Sequence, residues 1–267
     1  MRNVKLSLAK AALVAAALFV ASPAGATSFS LVQYISPTGG GNNHHGLAFD
    51  GTTWYESNFA GWERYDTNWN FLSTTSQPGS LRGLVYDGAA NTLFQTRDLN
   101  SVVETTLAGV TVQSFATANT LNAVAWDPLD DSLWLAYFSG LIEHRTRTGT
   151  LVSNFNTPWA WTGAAFDRVS RSLLLLDNSD AVVEYSLTGS QIGASQAGLF
   201  ALSNGQGLYY DASHGDLYVT AQEHRLALLE DRSRLAATSV PEPATLSLVG
   251  LGCIGALARR ARRARSS

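Results

Sequence analysis

Through most of the chain, apolar residues come in short runs broken by Gly, Asp, Asn, Ser and Thr, as at residues 173–176, which run into Asp177-Asn178-Ser179. Runs of that length bounded by turn residues read as strands, and no stretch between them holds a helical period. A five-residue phrase returns along the chain: GLAFD at 46–50, GLVYD at 83–87, AVAWD at 123–127, GAAFD at 163–167 and GLYYD at 207–211. Its aspartates are 37, 40, 40 and 44 residues apart, so the body is built from a repeat of about 40 residues.

Each phrase is followed by further strand-like segments. The second are 54–58, 93–97, 133–137, 173–177 and 217–221. The third carries a glutamate at one place in four copies, Glu63, Glu104, Glu143 and Glu184, and a fourth follows a glycine turn at Gly109, Gly149 and Gly189. Four short strands per 40 residues is the pattern of a β-propeller blade, with an open stack or sandwich as the competing all-β arrangement. A first residue of Gly in four phrases and Ala in one suits an innermost strand crowded around an axis. The phrase aspartates read as turn residues whose carboxylates take the following backbone amides, the alternative being a calcium or catalytic role. The fifth copy stops after a third segment at 225–229, while an unassigned segment, 29–35 (FSLVQYI), precedes the first copy. The expected fold is therefore all-β, a five-bladed propeller whose N-terminal strand closes the last blade.

Both ends depart from this pattern. Arg2, Lys5 and Lys10 precede an apolar run at 11–20 and a small-residue ending, Ala24-Gly25-Ala26, which together read as a secretory signal peptide cut after Ala26. Near the other end, Pro241-Glu242-Pro243 is followed by an apolar run at 244–258 and by Arg259, Arg260, Arg262, Arg263 and Arg265. This tail resembles the PEP-CTERM sorting signal: a Pro-Glu-Pro motif, a hydrophobic helix and an arginine cluster. The resemblance implies recognition and cutting by an exosortase, a membrane transpeptidase, and a Gram-negative producer of exopolysaccharide. The physical reading of the tail agrees, since prolines keep the chain extended, an apolar helix enters lipid and arginines stay on the cytoplasmic side. The expected domains are a signal peptide (1–26), the propeller (27–236) and a sorting and anchoring segment (237–267) with a single transmembrane helix. The route is export by the general secretion machinery, a brief stay at the inner membrane, then the cell surface or outside.

Charge narrows the partners. Between residues 27 and 239 there are ten arginines, no lysine and twenty acids, a net of about −10, which repels nucleic acid and anionic surfaces. The one cysteine, Cys253, lies in the tail, so the body holds itself without a disulfide.

Candidate chemistry is sparse. In a propeller, the loops entering first strands and leaving second strands share one face. In this chain they would present His45, Arg82, Asn122, Thr162 and Gln206 before the first strands, and Asn58, Arg97, Tyr137 and Asp177 after the second. His44-His45 beside Gly39-Gly40-Gly41 reads as a polar loop; a metal site with Asp177 would need further ligands that spacing does not offer. No nucleophile elbow is present, and the in-register glutamates read as structural. Trp54, Trp126 and Trp134 read as core, and Trp159 and Trp161 as loop aromatics that could pack or stack on sugars. The phrase VVEYSLTG at 182–189 is similar to blades of six-bladed lactonases and of binding-only propellers. The leading reading is a surface or matrix protein whose top face binds a partner protein or exopolysaccharide without catalysis or cofactor. The rival is a secreted metal-dependent hydrolase or lactonase, with calcium or zinc in the channel.

Overall fold

The structure is a computed structural model that describes residues 28–41, 43–117, 120–193, 202 and 205–231. Blade 1 runs β2 (Leu47–Phe49), β3 (Trp54–Asn58), β4 (Gly61–Tyr65), β5 (Phe71–Ser76), and blade 2 runs β6 (Leu81–Asp87), β7 (Thr92–Arg97), β8 (Ser101–Thr106), β9 (Thr111–Ala116). Blade 3 comprises β10 (Leu121–Asp127), β11 (Ser132–Tyr137), β12 (Leu141–Thr146) and β13 (Leu151–Asn156). Blade 4 shows β14 (Trp161–Asp167), β15 (Ser172–Asp177) and β16 (Val182–Ser186), with Tyr185 bridged to Gln191 beyond it. Blade 5 is β17 (Gly205–Asp211), β18 (Asp216–Ala221) and β19 (Arg225–Asp231), and its outer strand is β1 (Phe29–Ile35), paired antiparallel to β19 with Phe29 opposite Asp231. Each blade is an antiparallel sheet, β17 packs beside β2, and the five blades form a closed ring.

The axis is crowded, which explains the small first residue of each phrase. A Cβ on Gly46 would stand 2.4 Å from Arg82 O, and one on Gly207 would stand 2.1 Å from His45 O. The phrase aspartates organise the next turn: Asp50 accepts from Thr52 N at 2.8 Å and Thr53 N at 2.7 Å, Asp87 from Ala89 N at 2.8 Å, and Asp167 from Val169 N at 2.8 Å. Between blades, both faces of the middle strands are buried. Leu173, Leu174, Leu175 and Leu176 are at most 1% exposed, so each contributes roughly 1.5–3 kcal/mol of burial. The recurring glutamates are buried hydrogen-bond acceptors within blades, as in Thr92 Oγ1 to Glu104 at 2.7 Å and Ser172 Oγ to Glu184 at 2.5 Å.

Two tryptophan readings are corrected, and one histidine reading is refined. Trp126 is half-buried beside Asp131, because its strand position opens toward the channel end. Trp161 belongs to β14 and is fully buried, its Nε1 donating to Thr157 at 2.7 Å; of the two tryptophans, Trp159 alone is exposed in the loop. His44 and His45 do lie in a loop, but a buried one, packed between blades 1 and 5. Among the described residues no helix is long and apolar enough to cross a membrane, and the signal peptide and tail helix lie outside those residues.

Candidate functional site

One end of the channel is built by a repeated irregularity. In blades 3, 4 and 5 the pairing of first and second strands skips one residue, Asn122, Thr162 and Gln206 respectively, and in blade 2 it skips Arg82 and Gly83. A bulge places an extra residue against the ladder and re-aims its side chain. Here these residues turn into a depression of about 350 Å³, whose lining includes Arg82, Asn122, Thr162 and Gln206. His45, at the matching place in blade 1, is buried one step behind and meets Gln206 Oε1 through Nδ1 at 3.1 Å. Asn122 Nδ2 donates to Trp161 O at 3.0 Å and Thr162 Oγ1 to Leu176 O at 3.2 Å, so these two are locked in place.

The four residues after the second strands do not join them. Asn58 donates to Glu63 at 3.2 Å, Arg97 to Gln77 at 3.1 Å, Tyr137 bonds Glu143, and Asp177 accepts from Ser179 N and Ala181 N at 2.8 Å. The lining takes the residues just beyond: Leu99, Phe138, Asn178 and Gln222. Side chains alternate along a strand, so a count off by one selects the face that packs on the neighbouring blade. Phe59, 44% exposed, flanks the opening with its ring 4.5 Å from His45 and under the Arg82 guanidinium, and Phe138 is 46% exposed. Counting one residue past each second strand would have found both rings.

Burial pushes the His45 imidazole down to about 4, and the nearby Arg82 charge adds to the effect against its bond to Gln206. The ring is therefore neutral near pH 7, and Arg82 is the one cation among the lining residues. Burial also lowers the Arg82 pKa, though a guanidinium stays charged, and its Nε meets no protein acceptor. The mouth thus offers amides, hydroxyls, one cation and two aromatic faces. At the opposite end, the fourth residue of every phrase is aromatic, and Phe49, Tyr86, Trp126, Phe166 and Tyr210 help line an apolar depression of about 270 Å³.

The expected sorting motif and arginine cluster lie outside the described residues, and sequence comparison bears on them directly. Residues 239–263 match the PEP-CTERM protein-sorting motif. No curated protein matches the chain. Among solved structures, a protein of unknown function from Bacteroides caccae is similar with a TM-score of 0.52 and 11% identity over 72% of this chain and 80% of its own. A chain of the Nidogen/Laminin complex is similar with a TM-score of 0.51 and 20% identity over 67% of this chain and 72% of its own. These likenesses speak to the fold alone. The chain carries a PEP-CTERM sorting motif on a five-bladed propeller body, and the motif marks it as an exported, surface-sorted protein processed by an exosortase.

Proposed function

We propose that this protein is a surface or matrix component whose propeller binds a polysaccharide at the amide-lined mouth, without catalysis. Residues 1–26 lead export, the tail holds the body briefly at the membrane, and processing at Pro241-Glu242-Pro243 passes the body to the surface. The observation that carries the binding reading is the set of bulges in blades 2 to 5, which aims Arg82, Asn122, Thr162 and Gln206 into one depression flanked by Phe59 and Phe138. Sugars present hydroxyl edges that pair with amides and apolar faces that stack on rings, and this mouth supplies both. A protein partner or a hydrolysable ester would have to use the same groups.

The test is a glycan-array screen of the full-length chain in detergent, followed by calorimetry on the best glycan. Phe138→Ala and Arg82→Ala should each weaken binding about tenfold, the loss expected for one ring contact or one charged hydrogen bond. Phe138 is half-exposed, so its variant should keep the wild-type melting temperature. Wild-type affinity in both variants would overturn the assignment of the mouth, and turnover of the bound glycan would restore the hydrolase reading.

A further inference from the structure

The seam where the ring closes holds a second constellation, away from the mouth's lining. His44 precedes blade 1, Glu56 lies in β3, and His224 lies in the β18–β19 turn of blade 5. One ligand atom from each lies within 4.8 Å of the others. We infer that His44, Glu56 and His224 form a site for one divalent transition-metal ion of the zinc type, which clasps the first blade to the last.

Glu56 is the unexplained group. It is fully buried, its Oε1 meets no hydrogen-bond donor, and its Oε2 faces His44 Nδ1 at 2.9 Å. It faces Leu47, the second residue of its phrase; facing the same place in the other blades are Gln95, Leu135, Leu175 and Val219. A carboxylate thus stands where three blades bury a hydrocarbon side chain. A buried charge is costly, and proteins retain one when a cation or partner answers it.

The neighbours are arranged as an outer shell. His44 Nε2 donates to Gly41 O at 2.8 Å, which aims Nδ1 at Glu56 Oε2, 2.9 Å away, as an ion pair when the ring is protonated and as a lone pair beside the carboxylate when it is neutral. A proton on Nδ1 answers that approach when no metal is bound, and a metal ion bound to both atoms would take the proton's place. Tyr65 donates its hydroxyl proton to Glu63 at 2.6 Å, so its oxygen accepts from His224 Nε2 at 3.1 Å and leaves His224 Nδ1 free. Glu63 is itself held by Gly41 N at 2.9 Å and by Asn58. Metal-bound histidines characteristically donate their second nitrogen to a carbonyl, or to an oxygen backed by a carboxylate. Two imidazoles and one carboxylate suit zinc better than calcium, which wants six or more oxygens.

One movement is needed. Ligand atoms around a tetrahedral zinc stand about 3.4 Å apart when bonds are about 2.0–2.1 Å. The His44 and His224 rings are stacked at 4.4 Å, so the half-buried His224 ring must turn out of the stack. Water would complete the fourth position.

The experiment uses the full-length chain in detergent, stripped by chelator and then titrated with ZnCl2, with CaCl2 as the comparison. One zinc per chain by elemental analysis is expected, and the melting temperature should rise by roughly 5–10 °C at a hundredfold excess over Kd. Glu56→Gln and His224→Gln should abolish the rise, and Tyr65→Phe should weaken zinc binding about tenfold. Glu56→Gln removes the buried charge, so a folded variant deaf to zinc separates binding from folding. No stoichiometric zinc in the wild type, equal binding of calcium, or a wild-type zinc response in both ligand variants would each overturn the site and leave a plain imidazolium–carboxylate pair.

Discussion

Arg147 shows how much one side chain can hold at the residue scale. It reaches from blade 3 to Asp87 at 2.5 Å and to Glu104 in blade 2, and also to Asp131 at 2.7 Å, with its guanidinium 4.8 Å from the Phe94 ring. Asp87 and Glu104 are almost wholly buried, so Arg147→Ala strands two carboxylates between blades. The expected cost is about 3–5 kcal/mol, a fall in melting temperature on the order of 10 °C by calorimetry. A drop of only a degree or two would mean that the two acids find other partners. This network was invisible in the sequence, because 60 residues separate Arg147 from Asp87. The mouth was half legible for a related reason. Arg82, Asn122, Thr162 and Gln206 share one offset from a repeated phrase, so aligning the repeats places them together. Tyr137 and Asp177 share an offset too, but strand alternation turns them from the channel. His44, Glu56 and His224 share no offset, and only the closed ring brings them together.

At the scale of elements, β1 stands apart, because its partner is the described strand most distant from it in sequence. Phe29 is buried against Tyr210, ring edge to face at 6.2 Å, and Leu31 packs on the same core. The ladder runs from Phe29 opposite Asp231 to Ile35 opposite Leu226. Deleting residues 27–36 removes that ladder and leaves the β19 edge bare. Truncation of Phe29 alone should cost about 3–5 kcal/mol, so the deletion should lower the melting temperature further and promote association of exposed edges. A melting temperature equal to that of the intact body would show that the ring does not depend on β1. The repeats made this closure readable: five phrases, one missing outer strand and one spare segment favoured a closed ring over an open stack. The outer part of blade 4 was less readable, since its phrase-to-phrase spacing of 44 residues exceeds the others.

At the scale of the whole molecule, the propeller and the sorting motif are separate devices joined by a short connection. Residues 239–263 carry the motif, and the last described strand ends at Asp231. Replacing Pro241, Glu242 and Pro243 with alanines should leave export intact and retain a membrane-bound form with its tail. Mass spectrometry of wild type and variant in a host with the processing enzyme reads the outcome. The same mature C-terminus in both would mean that the tripeptide does not direct the cut. The β1–β19 ladder also sets a schedule. If residues 1–26 lead the chain outward, β1 is the first described strand to cross and waits for β19, the last described one. Only about ten residues part Asp231 from Pro241, at most roughly 35 Å of extended chain. The moment at which the sorting enzyme can first reach its motif is thus nearly the moment at which the body can first seal, so a chain stalled during translocation presents neither a finished ring nor a substrate.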